Sequence, residues 1–467
     1  MCPPTVRRRG RESWVPLFKI QVFLACVSFS IIVPSIAPYL ARMGAPEYIL
    51  GVAVAVYSLG EMIGSTYFGR WMTVAMREDP DSGPRRALLA AIAVGFLGST
   101  AYVLADALRG GAIAPSPYGF GPALVVVARL TTGIWTGGKM TIEQTYIGEA
   151  AAPERTTEIT SEVGVFAVLG FVVGPTIGAL FSPVDFGSRV WRVDQYTAPG
   201  YFIAIACALM SGATGLAFDP KAGYANPVVL RRQNSSRDLD AYGATEHGKL
   251  EEEEEEPDKV GLWTLLACFF AHFYSFAIQE TITTPFVAAR FGWSQRQIDY
   301  LFAGVGLLSL LTSFVVALLA KVCSDVALLV LSLVFGLVGS LALIDQPLGP
   351  PLDVVRFLLG FGLITIAFPF GRNVALAMYS KVLGPTPQGS WIGLMFVVGA
   401  IPRCLGPSWS LYCLRLACTL FPRPAPCPAG GRTCLEFFIS AAFFAACMIL
   451  VFRVKTALLP FEDRNRS

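Results

Sequence analysis

Histidine is nearly missing from this chain, with two in 467 residues, and charged residues are scarce at 15%. None of the 11 cysteines stands in a Cys-x-x-Cys spacing, so no metal site is expected. There is no phosphate-binding loop, kinase signature or catalytic-triad spacing, which sets aside an ATP-driven motor and an enzyme and leaves no role for a cofactor. Hydrophobic residues make up 54% of the chain and mean hydropathy is +0.57, which sets aside a cytosolic protein. The net charge of +3 hides a basic chain, because six of the 33 acidic residues form one run from Glu251 to Glu256.

What fills the chain is apolar length. A helix needs roughly 20 apolar residues to cross a bilayer. Twelve stretches qualify: 17–40, 47–70, 87–108, 121–149, 158–182, 199–218, 260–287, 298–320, 324–345, 353–379, 389–413 and 434–453. The expected fold is an all-α membrane protein of twelve transmembrane helices in two six-helix bundles, 17–218 and 260–453. Between them lies an acidic linker, 219–259, too polar to bury itself and expected to be disordered. The tails are 1–16 and 454–467. If both tails are cytoplasmic, the cytoplasmic segments hold 21 Lys and Arg residues against 9 on the other side, as the positive-inside rule requires.

The halves echo one another. Pro153 and Pro175 of the first recur as Pro385 and Pro407 of the second, each 232 residues later, and Gly174-Pro175 matches Gly406-Pro407. Arg129 and Arg356 form a similar pair at an offset of 227. Such duplication around a midplane site is a transporter architecture.

An ionisable group in hydrocarbon costs about 2.5–3.5 kcal/mol on insertion scales, so each asks for a partner or a wet path. Lys19, Arg129 and Arg356 lie near span ends and are expected to snorkel. Lys139, Arg372 and Arg403 lie deeper, and the acids to set against them are Glu61, Glu143 and Glu280. Lys139 and Glu143 are four residues apart on one helix face, which fits either an internal ion pair or an anion-binding lysine. Arg372 has no acid within a turn. It fits a bridge to Glu280 or a contact to an anionic solute. Glu61 is a candidate proton carrier. His272 fits a packed core residue or a second proton carrier. Gly170, Gly174 and Gly178 recur every fourth residue around Pro175, which fits tight helix packing or a hinge.

These features resemble the major facilitator superfamily. Gly174-Pro175-x-x-Gly178 is similar to its antiporter-type signature. Gly69-Arg70 through Arg85-Arg86 occupies the place of its basic gating motif, with Thr73 near the position of the usual Asp. A closer resemblance is to the lysosomal group typified by the neuronal ceroid lipofuscinosis type seven protein (major facilitator superfamily domain-containing protein eight). It rests on Ser380-Lys381-Val382-Leu383-Gly384-Pro385-Thr386-Pro387-Gln388-Gly389, on Arg403 with Leu405-Gly406-Pro407, and on Glu280-Thr281-Ile282-Thr283-Thr284-Pro285. Vacuolar phosphate transporters share part of it. The resemblance implies a cavity lined by spans 1, 4, 7 and 10, hence by Lys139, His272, Glu280 and Arg372, in a lysosomal or vacuolar membrane. The expected activity is alternating-access transport of a small solute, expected to be an anion and to be coupled to protons. An anion channel lined by Lys139, Arg372 and Arg403, or a non-transporting receptor or scaffold, are the alternatives. A monomer in lipid with no nucleic-acid partner is expected.

Overall fold

The computed structural model describes residues 14–108, 120–181, 183–187, 192–220, 258–346, 348–384, 386–420 and 433–459. Most of the expected linker and tails, and the proline-rich stretch 421–432, lie outside the described residues. Twelve long helices appear among the described residues. The first six are α1 (Trp14–Arg42), α2 (Glu47–Glu78), α3 (Gly83–Leu108), α4 (Phe120–Ala150), α5 (Pro153–Leu180) and α6 (Ala198–Ala217). The second six are α7 (Lys259–Phe291), α8 (Gln295–Leu319), α9 (Asp325–Leu343), α10 (Val354–Leu383), α11 (Gly389–Leu420) and α12 (Leu435–Arg453).

Eleven of the twelve are long and apolar enough to cross a membrane. The exception is α4, along which Arg129, Lys139, Glu143 and Glu149 are all buried. Its polarity is hidden in the protein and not shown to lipid. Several helices outrun the apolar stretches that announced them: α1 begins at Trp14, α2 runs on to Glu78 and α5 begins at Pro153. Hydropathy marks where a helix leaves hydrocarbon, whereas the backbone ladder continues until a cap ends it. Asp258 supplies one such cap, accepting from Val260 N–H at 3.0 Å and Gly261 N–H at 3.1 Å. Gly292, at φ 65°, closes the other end of α7 in the left-handed region.

The bundles have separate cores. One apolar cluster runs from Trp14 to Phe218 and holds no residue of the second half, while two others lie wholly within Leu262–Leu458. The bundles meet along two antiparallel pairs, α2 with α11 and α5 with α8. We call the end from which the 219–259 segment leaves the linker end, and the opposite end the far end.

At the far end of the first bundle, β1 (Asp185–Gly187) and β2 (Arg192–Asp194) form a short antiparallel hairpin. Arg42 of α1 ties it down through Asp194, with Asp106 of α3 3.7 Å away. Burial pushes the Asp194 carboxyl up, but Arg42 and the backbone N–H groups of Thr197 and Tyr196 outweigh it and hold the group below the usual carboxylate range. A depressed folded-state value contributes stability that is complete above the unfolded value and is lost as pH falls through the folded one. Asp194→Asn should therefore lower the melting temperature throughout the pH range above ordinary carboxylate titration. The difference from wild type should vanish only on acidification below that range.

Candidate functional site

Backbone contact between α2 and α4 carries Glu61 to the middle of the protein. A Cβ on Gly137 would strike the Glu61 carbonyl, and one on Gly60 the Leu130 carbonyl. Only glycine lets the two helices approach this closely. The Glu61 carboxylate crosses to the other bundle, where Arg403 of α11 donates from Nη1 to Oε2 at 3.0 Å and to Oε1 at 3.3 Å. The pair lies near mid-length of both helices and joins the two halves.

Two guanidinium groups lie near the Phe29 ring of α1. That of Arg403 is 5.7 Å from its ring centroid and that of Arg129 is 5.6 Å away. Arg129 also lies 4.3 Å over the Tyr57 ring. Arg129 does not snorkel: it is 4% exposed, and its Nε has no hydrogen-bond partner among the described residues. The helix starts at Phe120, so Arg129 lies about 13 Å along it at 1.5 Å per residue. Arg356, by contrast, lies in the first turn of α10 and donates to the Pro351 carbonyl at 3.2 Å. Arg129 is thus the tenth residue of α4 and Arg356 the third of α10, so the two arginines lie at different depths in their helices. Lys19 also has a partner, Glu162 of α5, at 2.6 Å.

The other expected residues separate by environment. Lys139 and Glu143 form a 2.6 Å ion pair within α4, their side chains 0% and 3% exposed. His272 lies inside the second bundle: its Nδ1 is 2.7 Å from the Cys268 carbonyl, its ring meets Phe444 edge-on, and its Nε2 abuts Gly371. Arg372 is half-buried, and its one hydrogen-bond partner among the described residues is Asn373 at 2.9 Å. The bridge to Glu280 does not form. Glu280 is exposed, with no ion pair or hydrogen bond among the described residues, and interacts with Arg403 only at longer range. Five charged groups, Arg129, Arg372, Arg403, Glu61 and Glu280, thus interact electrostatically where the bundles meet and sum to one positive charge.

The linker end is closed across the bundles. A Cβ on Gly69 of α2 would lie 2.6 Å from the Gly389 carbonyl of α11, and one on Gly393 would lie 2.5 Å from the Ser65 carbonyl. Beside this seam Thr73 Oγ1 accepts from Ser390 N–H at 2.9 Å, an uncharged contact near the place of the usual Asp. Three further links join the halves. Gln388 N–H donates to Glu149 at 3.1 Å, Thr157 bonds Asp325 at 2.8 Å and Lys381 at 2.9 Å, and Glu158 pairs with Lys321 at 3.2 Å. Arg85 and Arg86 stay within the first bundle, on the Gly215 carbonyl and Asp79, and Arg70 is exposed. On α5, Gly170 and Gly174 press on Phe23 and Ser30 of α1, a Cβ on Gly178 would lie 3.4 Å from the Ile31 carbonyl, and the helix runs unbroken past Pro175. On α11, Gly406 packs on Ala277 of α7, and Pro407 continues the helix. Gly69→Val should wedge the seam open. The protein should fold, with Cys substitutions near residue 390 gaining reactivity from the linker end.

Two bundles around a charged midplane space, joined along α2–α11 and α5–α8, meet a known family description. The model of the Major Facilitator Superfamily matches residues 20–407. The chain belongs to that superfamily. Among curated relatives, the Major facilitator superfamily domain-containing protein 8 of Xenopus laevis is 24% identical, over 98% of this chain and 94% of its own. A SPX domain-containing membrane protein of Oryza sativa is 23% identical over 41% of this chain and 24% of its own. Superfamily members among solved structures share the fold. The proton:xylose symporter XylE has a TM-score of 0.68 at 14% identity, covering 94% of this chain and 95% of its own. The human organic anion transporter MFSD10 has a TM-score of 0.64 at 17% identity, covering 95% and 100%.

Proposed function

We propose that this member of the superfamily is a secondary transporter that moves a small anionic solute by alternating access. The observation that carries this is Arg372, a half-buried guanidinium on a membrane-spanning helix with no carboxylate partner among the described residues. A static protein gains nothing from that cost. A solute carboxylate or phosphate would supply the missing charge, with bidentate geometry suited to a guanidinium. The seam at the linker end, together with the near absence of contact between α1 and α7, supports a state open toward the far end. The two likenesses just named, to an organic anion transporter and to a proton-coupled symporter, agree with it.

The linker end is the cytoplasmic one in this proposal, with both termini there. The Lys/Arg excess supports that side, and so does Cys418, which is disulfide-bonded near the far end where an oxidising compartment would lie. The membrane we propose is lysosomal or vacuolar, on the likeness to the lysosomal group.

Glu61 is the proposed proton carrier. Protonation would remove the charge that holds Arg403 and so loosen the one ion pair crossing the midplane among the described residues. His272, packed away from that space, drops out of the role. The channel alternative weakens for a related reason: Glu143 neutralises Lys139 and Glu61 neutralises Arg403, so the expected positive lining shrinks.

The test is flux in liposomes with and without a pH gradient. A carrier saturates and shows exchange, and Glu61→Gln should remove the response to the gradient while exchange persists. Ohmic, unsaturated anion current would replace the carrier with a channel.

A further inference from the structure

The cleft face of the second bundle holds an acid as well as a base, and their spacing describes a solute. On α7, Phe276 and Glu280 are four residues apart and share a face; on α10, Phe368 and Arg372 do the same. The two rings stack at 4.0 Å with planes 13° apart. The helices are antiparallel, since Gln279 bonds the Phe361 carbonyl at 3.1 Å while His272 abuts Gly371. Glu280 therefore lies one turn toward the far end from the stacked rings, and Arg372 one turn toward the linker end. Eight residues at 1.5 Å give about 12 Å between their backbones along the bundle.

Neither group makes an ion pair among the described residues; Arg403 attracts Glu280 and Glu61 attracts Arg372 only at longer range. Glu280 is exposed and makes no ion pair or hydrogen bond among the described residues, while Arg372 bonds only the neutral Asn373. Both reach the space between the bundles: each interacts electrostatically with Arg403, whose partner Glu61 belongs to the other half. A solute with a single negative charge would engage Arg372 and leave Glu280 with no group in direct contact. We infer that the transported solute is amphoteric, an organic molecule with a carboxylate for Arg372, an ammonium for Glu280 and an apolar body lying across the stacked Phe276 and Phe368 rings. This rests on the transporter reading and narrows its anionic solute to one that also carries a positive charge.

The test uses 8-aminooctanoate, with octanoate, octylamine, inorganic phosphate and chloride as charge-deleted or body-deleted controls, in counterflow with purified protein in liposomes. The amino acid should saturate at a concentration at least tenfold lower than any control. Glu280→Gln should raise its half-saturation about 10- to 100-fold, as expected for losing a charged hydrogen bond, and leave octanoate unchanged. Arg372→Gln should weaken both. Glu280→Asp should retain selectivity for the amino acid, which separates lost charge from lost fold. If octanoate, phosphate or chloride moves as well as the amino acid and Glu280→Gln changes nothing, the amphoteric inference falls while anion transport stands. A protein that carries none of the five probes overturns the transporter reading and this inference with it.

Discussion

Replacing Lys139 with Met is expected to destabilise the first bundle by about 3–5 kcal/mol, the range for removing one partner of a buried pair. The lysine is 0% exposed and its ammonium lies 2.6 Å from Glu143 Oε1, while Glu143 Oε2 has no hydrogen-bond partner among the described residues. Without the lysine, a carboxylate with one oxygen already unsatisfied loses its only counter-ion among the described residues. A lower melting temperature and a loss of monodisperse protein in detergent should follow. The double variant Lys139→Met with Glu143→Leu should recover most of the loss, because a buried pair replaced by apolar groups of similar volume is often neutral. Transport by the double variant decides between the roles the spacing leaves open. Near-normal flux assigns the pair to helix insertion and packing. Restored stability with flux still absent assigns Lys139 to the solute path.

What the sequence makes legible here is local. Apolar length marks twelve helices because hydropathy is a property of consecutive residues. Four-residue spacing pairs Lys139 with Glu143 for the same reason, and both arguments agree with the structure. Contacts between distant residues are a different matter. Glu61 and Arg403 are 342 positions apart, and nothing in one chain says that α2 and α11 run side by side. Arg129 misleads because its depth is counted from the end of an apolar stretch, while the Tyr57 ring it stacks on belongs to α2. His272 is ambiguous in sequence because a histidine among apolar residues looks the same whether it faces a cleft or Phe444. One signal was within reach: Phe276 with Glu280, and Phe368 with Arg372, repeat one aromatic-to-charge spacing on two spans of the second half. Their stacking across the helix pair, which turns the coincidence into a shared surface, is visible only in three dimensions.

Arg372→Gln is the variant in which fold and function should separate most cleanly. The glutamine side chain is shorter but still offers a donor to Asn373, the one hydrogen-bond partner the arginine has among the described residues. No carboxylate there is left stranded, so stability should hold within about 1 kcal/mol, the net worth of one ordinary hydrogen bond. Substrate affinity should behave otherwise. A hydrogen bond to a charged group is worth about 1.5–3 kcal/mol, so the half-saturation for any anionic solute should rise roughly 10- to 100-fold. Arg372→Lys keeps the charge without the planar fork and should fall between the two. Flux measured at saturating solute should recover partly, since the lost contact is one of binding. Wild-type affinity in the Gln variant would return Arg372 to a packing role and leave the excess positive charge between the bundles with Arg129, whose ring-stacked guanidinium would then be the group to replace next.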